Sequence, residues 1–431
     1  MFLYTLSIYS LVLAIKIAAL FNKKAKQAIE GRKNWRSKLL RFKQEFPHKK
    51  IIWFHISSLG EFEQARPLII RIKTDYPEYA IVITFFSPSG YEKCKHFEYA
   101  DAVFYLPYDT PQNASDFLNI LQPKFSLFVK YEFWLNYLNE IFKRKNEIQC
   151  FLISSIFRKH QPFFKWYGSI FRQALKTYDV IFVQDELSIK LLKKIGSTNN
   201  VVLAGDTRID RVVEIAQQEV SFPEIEAFSN DSITIIAGST WEKDEKLLLP
   251  VIFDLQRYYS HLRLIIAPHN VEEKNIQRLC QLLNKQGFNF VRYTQRNSLF
   301  TDELKTKNVF VIDTIGVLNK IYRYGHLAYI GGGFSYGIHN ILEPAVYGLP
   351  VVFGPNYHKF YEAEVLIKTK GAFCITNKED LKKIFFHLIE NKDIYLTAQN
   401  SIKTFIEHHK GSVERTMSVL KNYISDHYCP K

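Results

Sequence analysis

The fold of the C-terminal half is decided by LAYIGGGFSYGIHNILEPAVYGLPVVFGP (residues 327–355). An apolar run of strand length leads into three glycines, a polar loop and a helix-like segment follow, and a second apolar run ends the stretch. Strands that are apolar almost throughout and alternate with helices are typical of a parallel sheet covered on both faces. The stretch therefore predicts one strand–loop–helix–strand unit of a doubly wound α/β fold, with the helix beginning near Asn340.

The same alternation extends outward from this stretch. In the C-terminal half, strands are predicted at 233–239, 262–268, 288–293, 309–313, 327–332 and 349–354. In the N-terminal half, they are predicted at 51–56, 80–86, 102–108, 125–131, 150–156, 180–184 and 201–205. We expect two doubly wound Rossmann-like domains with a ligand in the cleft between the carboxyl ends of their sheets.

The domain boundaries follow from where the alternation stops. The polar, proline-containing segment 212–231 is interpreted as a linker between an N-terminal domain, 51–211, and a C-terminal domain, 232–377. Residues 378–431 have a helical pattern, and packing back on the N-terminal domain is one arrangement open to them.

The N-terminus combines an apolar run with a basic one. Sixteen of the twenty residues from Phe2 to Phe21 are apolar, which is about the length a helix needs to cross a bilayer. Residues 22–50 carry eleven Lys or Arg against two Glu. We therefore predict a membrane-anchor helix, 1–22, and a basic juxtamembrane segment, 23–50, with everything after residue 22 on the cytoplasmic side. A buried core helix is the alternative, and whether the helix spans the bilayer or lies in one leaflet stays open.

The charge and the cysteine content of the chain indicate which kinds of partner and cofactor to expect. The net charge of +14 indicates an anionic partner, and beside an apolar helix anionic lipid headgroups are the simplest one. No nucleic-acid recognition motif accompanies the basic segment, so nucleic acid is not expected. Five cysteines without a C-x-x-C pair make a disulfide framework or a zinc site improbable, and no metal or cofactor is expected.

The glycine-rich loop is suited to a phosphate. Gly332 and Gly333 would let the backbone approach a ligand closely, and the N-terminus of the following helix offers N–H groups and a partial positive charge. Glu343 in the first turn could accept hydrogen bonds from the two hydroxyls of a ribose, or it could merely cap the helix. Together with His339 and Asn340, the loop looks like the nucleotide-sugar signature of GT-B transferases.

Two further turns follow strands of the same domain. Gly238, Ser239 and Thr240 lead into a helix with an acidic first turn and could hold a phosphate, or could be an ordinary helix cap. Gly316 in DTIGVL (313–318) would let the backbone reach a base or a ribose.

The N-terminal domain offers a candidate general base. In HISSLGEFEQARPLI (55–69) Glu61 falls where a helix begins, and its carboxylate could take the proton from an acceptor hydroxyl. Glu63 is the ordinary alternative, a solvated helix residue. Lys130 and Glu132 end another strand of this domain, in KYEFW (130–134).

The order of these motifs resembles that of the Kdo (3-deoxy-D-manno-octulosonic acid) transferases. The motifs that carry the likeness are SLGEFEQARPLI, YLPYD (105–109), PKFSLFVKYEFWLN (123–136), AGDTRID (204–210), GST (238–240), IAPHN (266–270), DTIGVL and GIHNILEPA (337–345). The resemblance covers nearly the whole chain, including the apolar N-terminus and the basic segment.

This resemblance implies roles for particular residues. Glu61 matches the catalytic base of the family, and Lys130 and Arg208 fall where the family has groups that stabilise the transition state. Glu132 is the fourth candidate catalytic residue, as a second acid nearby. The CMP-binding positions would be Gly238, Ser239, Thr240, Pro268, His269, Asn270, Ile315, Gly316, Val317, Gly332, Gly333, His339, Asn340, Ile341, Leu342 and Glu343. The implied reaction is an inverting, metal-free transfer of Kdo from CMP-Kdo to a lipid A precursor.

Some positions depart from the family pattern. Lys130 stands where the family usually has a glutamate, although Glu132 keeps an acid nearby. Arg208 replaces a lysine, which preserves the charge but not the geometry. The usual Arg-His is His269-Asn270 here, and Val317 and Ile338 replace a glutamate and a glycine. These changes bear on the contacts with the phosphate and the Kdo carboxylate.

Two alternatives to Kdo transfer remain. One is a GT-B transferase that uses another nucleotide sugar on a lipid acceptor. The other is a non-catalytic membrane-bound scaffold of the same fold. Neither the number of Kdo residues added nor the acyl-chain requirement nor the oligomeric state can be predicted from the sequence.

Overall fold

The computed structural model describes residues 1–131, 133–196, 200–298 and 301–425. Within these ranges the chain divides into two compact units. Unit 1 comprises residues 1–210 and the segment from 411 onward, and unit 2 comprises residues 211–410. The predicted α/β fold with two parallel sheets is confirmed.

Unit 1 is built on one parallel sheet. In the described part of the chain its strands are β1 (Ile51–Ile56), β2 (Ala80–Phe85), β3 (Ala102–Tyr105), β4 (Phe125–Val129), β5 (Gln149–Ser155), β6 (Val180–Val183) and β7 (Val201–Leu203), in the spatial order β3-β2-β1-β4-β5-β6-β7. Side chains of β1 alternate between two buried clusters, with Trp53 on one face and Phe54 on the other. Because both faces are covered, the strands read as continuous apolar runs.

Unit 2 repeats this architecture. Its described strands are β8 (Ile233–Thr240), β9 (Leu262–Pro268), β10 (Phe290–Arg292), β11 (Val309–Val311), β12 (Leu327–Ile330), β13 (Val351–Phe353) and β14 (Ala372–Cys374), all parallel, in the order β10-β11-β9-β8-β12-β13-β14. All four residues of β12 and their partners in β8 are buried, with Gly238 opposite Ile330.

Helices connect the strands on both faces of each sheet. Those of the N-terminal half are α1 (Phe2–Ala18), α2 (Lys23–Gly31), α3 (Trp35–Glu45), α4 (Leu59–Asp75), α5 (Pro88–Cys94), α6 (Pro111–Leu121), α7 (Leu135–Lys143), α8 (Ser169–Leu175), α9 (Glu186–Lys194) and α10 (Thr207–Gln217). Those that follow are α11 (Pro223–Ser229), α12 (Glu242–Tyr258), α13 (Glu273–Lys285), α14 (Thr301–Lys305), α15 (Leu318–Ile321), α16 (Leu342–Ala345), α17 (Tyr361–Lys368), α18 (Lys378–Glu390), α19 (Lys392–His409) and α20 (Ser412–Ser425).

Three segments differ in detail from the sequence-based expectation. The predicted linker, 212–231, contains the end of α10 and the whole of α11. The helix expected near Asn340 is only the four-residue α16, because Pro344 lies inside it and Gly348 follows with φ +75°. Helices α18 and α19 belong to unit 2, whereas α20 packs against α4 of unit 1.

Helix α1 lies against unit 1. The Tyr4 hydroxyl donates to Asp109 Oδ2 over 2.5 Å, and the Thr5 hydroxyl donates to Asn136 Oδ1 over 3.3 Å. In the parts of the chain that the structure covers, no helix combines the length and the apolar character needed to cross a membrane.

Each sheet has one point at which the strand order reverses direction. In unit 1 this topological switch point lies between β1 and β4, and in unit 2 it lies between β8 and β12. Open α/β sheets bind their ligands outside the carboxyl ends of the strands at such a point. The turns after these four strands are therefore where the candidate site residues are sought.

Candidate functional site

Glu61 lies in the turn between β1 and α4. Its Oε2 accepts hydrogen bonds from the backbone N–H groups of Ser57 at 2.8 Å and Ser58 at 3.2 Å, which completes a capping box with Ser58. The side chain is partly exposed, and a Cβ placed on the neighbouring Gly60 would meet no atom within 4 Å. The carboxylate is therefore held in one orientation beside open space.

Two residues at neighbouring strand ends adopt left-handed backbone conformations. Lys130 follows β4 directly with φ +63°, and Ser154 lies in β5 with φ +49° at an irregularity in its pairing with β6. The Lys130 N–H donates to Ile153 O over 2.9 Å. Non-glycine residues with positive φ are strained and cluster at functional sites. The strain here fixes how the chain leaves the switch point of unit 1.

Arg208 forms a close ion pair with the buried Asp206 just after β7. Its Nε and Nη2 reach Asp206 Oδ2 at 2.9 and 2.6 Å. Burial opposes the ionisation of Asp206, but the charge and hydrogen bonds of Arg208, with a smaller contribution from Lys130, outweigh it and hold the pKa of Asp206 below its usual value. The two predicted cations, Lys130 and Arg208, thus act on the same buried carboxylate.

The pKa of the Tyr131 hydroxyl depends on its burial and on the charges of Arg158, Asp185 and Glu61. Burial raises the pKa of the Tyr131 hydroxyl, Arg158 lowers it, and the negative charges of Asp185 and Glu61 raise it further. Tyr131 is 42% exposed. Glu132, the second predicted acid, lies outside the described residues.

In unit 2 the glycine-rich loop is held by a buried carboxylate. Asp244 Oδ2 accepts from the backbone N–H groups of Gly332 and Trp241, each at 2.9 Å, and Oδ1 accepts from the Tyr329 hydroxyl at 2.8 Å. Gly332 has φ +92°, and a Cβ there would lie 2.2 Å from Gly337 O. The Gly332 N–H therefore donates to Asp244 in this structure, and the expected close approach of a ligand to Gly332 and Gly333 stays a prediction.

Three rings stack beside this loop. The ring centroids of Trp241 and His269 are 4.5 Å apart, with an interplanar angle of 20°. Those of His269 and His339 are 4.4 Å apart, with an angle of 24°. The Trp241 Nε1–H donates to His339 Nε2 over 3.1 Å, so His339 carries its proton on Nδ1 when neutral. Burial, and secondarily the charge of His269, lowers the pKa of His339 to about 4. The His339 ring is therefore neutral at physiological pH, and its Nδ1–H is a hydrogen-bond donor.

The turn after β8 joins the stack to the buried side of α12. Ser239 has φ +54°, and Thr240 donates its hydroxyl to Glu245 Oε1 over 3.3 Å. Glu245 is buried and paired with Arg278. The Thr240 carbonyl accepts the His269 N–H at 2.9 Å, so the GST turn and the end of β9, including Pro268, are joined directly.

The remaining predicted positions are mostly accessible. Asn340 donates its side-chain amide to Glu343 Oε1 over 3.2 Å, and its Oδ1 accepts the Leu342 N–H, while Ile341 and Leu342 are buried. Ile315 is 78% exposed, and Gly316 has φ +89° with open space around it. Gly238 is packed against Tyr322, and Gly333 is buried. Asn270 is exposed, and its Oδ1 accepts the Glu272 N–H. Val317 directly precedes α15.

Sequence reasoning missed three residues of unit 2 that order this region, Trp241, Asp244 and Tyr336. Trp241 directly follows the GST turn, and Tyr336 approaches it at 5.3 Å from within the glycine-rich loop. The sequence signal for Asp244 was its place as the third residue of α12, where a carboxylate often accepts a hydrogen bond from the backbone N–H of the residue just before the helix. Among the described residues, no group of three or more His, Cys, Asp or Glu side chains could hold a metal ion.

Comparisons with known proteins match the chain to one group of transferases. Residues 33–211 match the family model of the 3-deoxy-D-manno-octulosonic acid transferases. The transferase of that name from Haemophilus influenzae is 28% identical over 392 residues, 88% of each chain. Its namesake from Aquifex aeolicus is 27% identical over 337 residues, 77% of this chain and 84% of that one.

A solved structure is similar in fold. The UDP-GlcNAc 2-epimerase from Neisseria meningitidis superposes with a TM-score of 0.56 at 17% identity, over 83% of this chain and 98% of that one. At this identity the likeness shows the fold alone. The sequence matches confirm the predicted resemblance to the transferases, and with it the prediction that the chain is a glycosyltransferase enzyme.

Proposed function

We propose, on the premise that the chain resembles the Kdo transferases, that it transfers Kdo from CMP-Kdo to a lipid A precursor with inversion at the anomeric carbon. The proposal assigns acceptor activation to unit 1 and CMP binding to unit 2. The observation that carries it is the position of Glu61: a held, partly exposed carboxylate beside open space at the switch point of unit 1.

The chemistry needs a base for one acceptor hydroxyl. Glu61 takes that proton as the hydroxyl oxygen attacks the anomeric carbon of Kdo, the bond to the CMP phosphate breaks, and CMP leaves with the bonding electrons. The two N–H groups that hold Glu61 Oε2 fix the direction of the carboxylate. Positioning of this kind supplies a large part of the rate enhancement in transfer reactions.

Two cations of unit 1 suit the negative charge that develops in the reaction. Arg208 and Lys130 surround the buried Asp206, which holds Arg208 through two hydrogen bonds. In the proposed reaction they balance the carboxylate of Kdo and the departing phosphate. Because the guanidinium is a fixed fork, Arg208 offers a planar contact that a lysine at this position would lack.

The donor is proposed to bind along the carboxyl ends of β8, β9, β11 and β12. His339 in its neutral form offers an Nδ1–H donor, the His269 ring stacks on it, and Gly316 leaves room for a base or ribose. The Asn340–Glu343 pair is proposed to bind the ribose hydroxyls. The Gly332 amide is not assigned to the phosphate, since Asp244 accepts from it.

We also propose that the enzyme acts at the cytoplasmic face of the inner membrane. The apolar α1 and the basic segment 23–50 support this, because a lipid acceptor with a phosphorylated head is reached most readily by a chain that binds the same surface. Anionic lipids are the proposed partners of this segment.

The test is transfer of labelled Kdo from CMP-Kdo, generated in situ, onto a tetra-acylated lipid A precursor, with UDP- and GDP-sugars as parallel donors. The proposal predicts product with CMP-Kdo alone, and the product mass gives the number of Kdo residues. Product with another nucleotide sugar and none with CMP-Kdo would favour the alternative donor. This alternative is considered because His269 stands where the family usually has an arginine.

A further inference from the structure

Unit 1 contains an apolar groove that the proposed transfer chemistry leaves unassigned. Its volume is about 420 Å³, within the range of pockets that bind small molecules. Its walls include Tyr4 and Ile8 of α1, Tyr131 and Trp134 after β4, and Phe163 and Phe171 from the segment between β5 and β6. Such a lining suits a flexible apolar ligand better than a polar one.

One wall of the groove lies at the switch point that also carries the candidate base. Tyr131 lines the groove and follows β4, which pairs with β1, and Glu61 lies in the turn after β1. A ligand that lies in the groove therefore ends near the residue assigned to deprotonate the acceptor. This continuity distinguishes the groove from a packing defect elsewhere in the unit.

The segment that forms the far wall carries only positive charge. Residues 157–172 contain four Lys or Arg and no Asp or Glu. Arg158 is paired with Asp185, and Arg172 donates to the carbonyls of Phe163 and Lys165, whereas Lys159 is exposed at the surface. An apolar groove with a cationic rim is complementary to an acyl chain on a phosphorylated head.

The surface around the groove is also apolar. Trp166 is 92% exposed, and Leu6 and Tyr9 of α1 are each about half exposed. Exposed aromatic side chains beside basic residues are typical of protein surfaces that meet lipid headgroups. A peptide ligand is less suited, because its backbone amides would lose their hydrogen bonds in a groove of this lining.

We propose that this groove binds one acyl chain of the acceptor lipid and so positions the acceptor hydroxyl at Glu61. The inference rests on the proposed lipid acceptor and adds to it a requirement for an acyl chain. Helix α1 is then part of the acceptor site, because Tyr4 and Ile8 form one wall.

The experiment uses the full-length enzyme and acceptor analogues with acyl chains of about four to eight carbons, kept below their aggregation concentration. Burial of one methylene from water strengthens binding about fourfold, so KM for the acceptor should fall about fourfold with each added methylene. Phe171→Asp places a charge in the groove and should flatten this dependence while leaving KM for CMP-Kdo unchanged. Leu187→Asp is the control for an added charge on unit 1, since Leu187 is an exposed apolar residue of α9 that does not line the groove.

A wild-type enzyme whose KM does not depend on chain length would overturn the inference, and so would Phe171→Asp with the wild-type dependence. Phe171→Ala guards against misfolding: it enlarges the groove and should retain or extend the dependence on longer chains.

A binding measurement separates this inference from the proposed function. A fluorescent fatty-acyl phosphate should bind the wild type and Leu187→Asp but bind Phe171→Asp at least tenfold more weakly. If Phe171→Asp binds the probe more weakly but no Kdo is transferred to any acceptor, the acyl-binding role of the groove is supported and the proposed function is wrong. Equal binding by all three proteins contradicts the groove whatever the transfer result.

Discussion

The turns that follow β1 in unit 1 and β8 in unit 2 have the same form and opposite chemistry. Each begins a long helix, and each has a carboxylate at the third helical position that accepts a hydrogen bond from the backbone just before the helix. Glu61 in the first turn is partly exposed beside open space. Asp244 in the second turn is fully buried and accepts three hydrogen bonds.

This difference separates a structural acid from a candidate catalytic one. A buried carboxylate whose oxygens are both engaged holds the backbone in place and cannot exchange protons with a substrate. A held carboxylate that is partly exposed can meet an acceptor hydroxyl. The same local motif therefore stabilises the glycine-rich loop in unit 2 and presents a base in unit 1.

The largest effect is expected for Glu61→Gln. The amide oxygen of glutamine still accepts the two backbone hydrogen bonds, but it cannot take a proton, so Kdo transfer should fall about 10²- to 10⁴-fold. The midpoint of thermal unfolding should stay within a few degrees of the wild type. Rates at saturating substrate and a melting curve of the same preparation measure both.

Glu63→Gln is the matched control for this change. Glu63 lies two residues further along α4 and takes no part in the capping box. Its substitution should leave transfer within about twofold of the wild type, because surface changes of this kind alter little. An equal loss in both variants would assign the effect to the charge of the helix rather than to Glu61.

Asp244→Asn should show the opposite pattern. Asparagine can keep its oxygen on the two N–H groups and turn its NH₂ group to the Tyr329 oxygen, but both N–H groups lose a charged acceptor, which costs about 2 kcal/mol. Hydrogen exchange followed by mass spectrometry should show faster exchange in peptides covering 327–345 and unchanged exchange in peptides covering 51–60. Equal protection in the 327–345 peptides would show that the charged acceptor is not needed.

A smaller effect is expected for Trp241→Phe. The phenyl ring keeps the stack but loses the N–H that donates to His339 Nε2. Nitrogen chemical shifts of His339 should then report a mixture of tautomers, and KM for CMP-Kdo should rise about fivefold, equivalent to about 1 kcal/mol, with little change in kcat. Tyr336→Phe, which removes only an exposed hydroxyl from a neighbouring ring, should alter neither quantity.

A pH dependence of opposite sign is expected in the two units. Burial raises the pKa of Asp109 in unit 1 to about 6, so its contribution to stability is present below its ordinary pKa of 3.8 and is lost as the pH rises to 6. The pKa of His339 in unit 2 is lowered to about 4, so its contribution is present above 6.5 and is lost as the pH falls to 4.

Acidification from pH 6.5 to 4 should therefore strengthen unit 1 through Asp109 and weaken unit 2 through His339. Hydrogen-exchange protection of each unit, measured over this range, gives the two slopes. Asp109→Asn should flatten the first slope alone, and His339→Phe should flatten the second alone. A slope of the same sign in both units, unchanged by either substitution, would contradict this assignment.

The sheets could be predicted because their strands are buried on both faces and therefore read as apolar runs. The candidate positions at strand ends could be predicted as well, since parallel strands bring their carboxyl ends to one edge. The sequence did not reveal which third-position acid is buried, because burial depends on what packs over the turn. Nor could it show the stack of Trp241, His269 and His339, which follow three different strands.

Backbone strain was equally invisible in the sequence. Lys130, Ser154 and Ser239 are ordinary residues by type, and only the structure shows their positive φ angles. Two of them interrupt the regular pairing of a strand near its carboxyl end, so the sheet geometry rather than local preference imposes the conformation. The short α16 has a local cause, the proline inside it, that could have been weighed.

The central claim is tested most directly by Kdo transfer from CMP-Kdo to a tetra-acylated lipid A precursor with the wild type, Glu61→Gln and Asp244→Asn side by side, at a temperature at which all three are folded. The account predicts product from the wild type, at least a hundredfold slower product formation by Glu61→Gln, and a much smaller loss per folded molecule for Asp244→Asn. Wild-type rates from folded Glu61→Gln would contradict the assignment of the base, and no product from the folded wild type would contradict the proposed reaction.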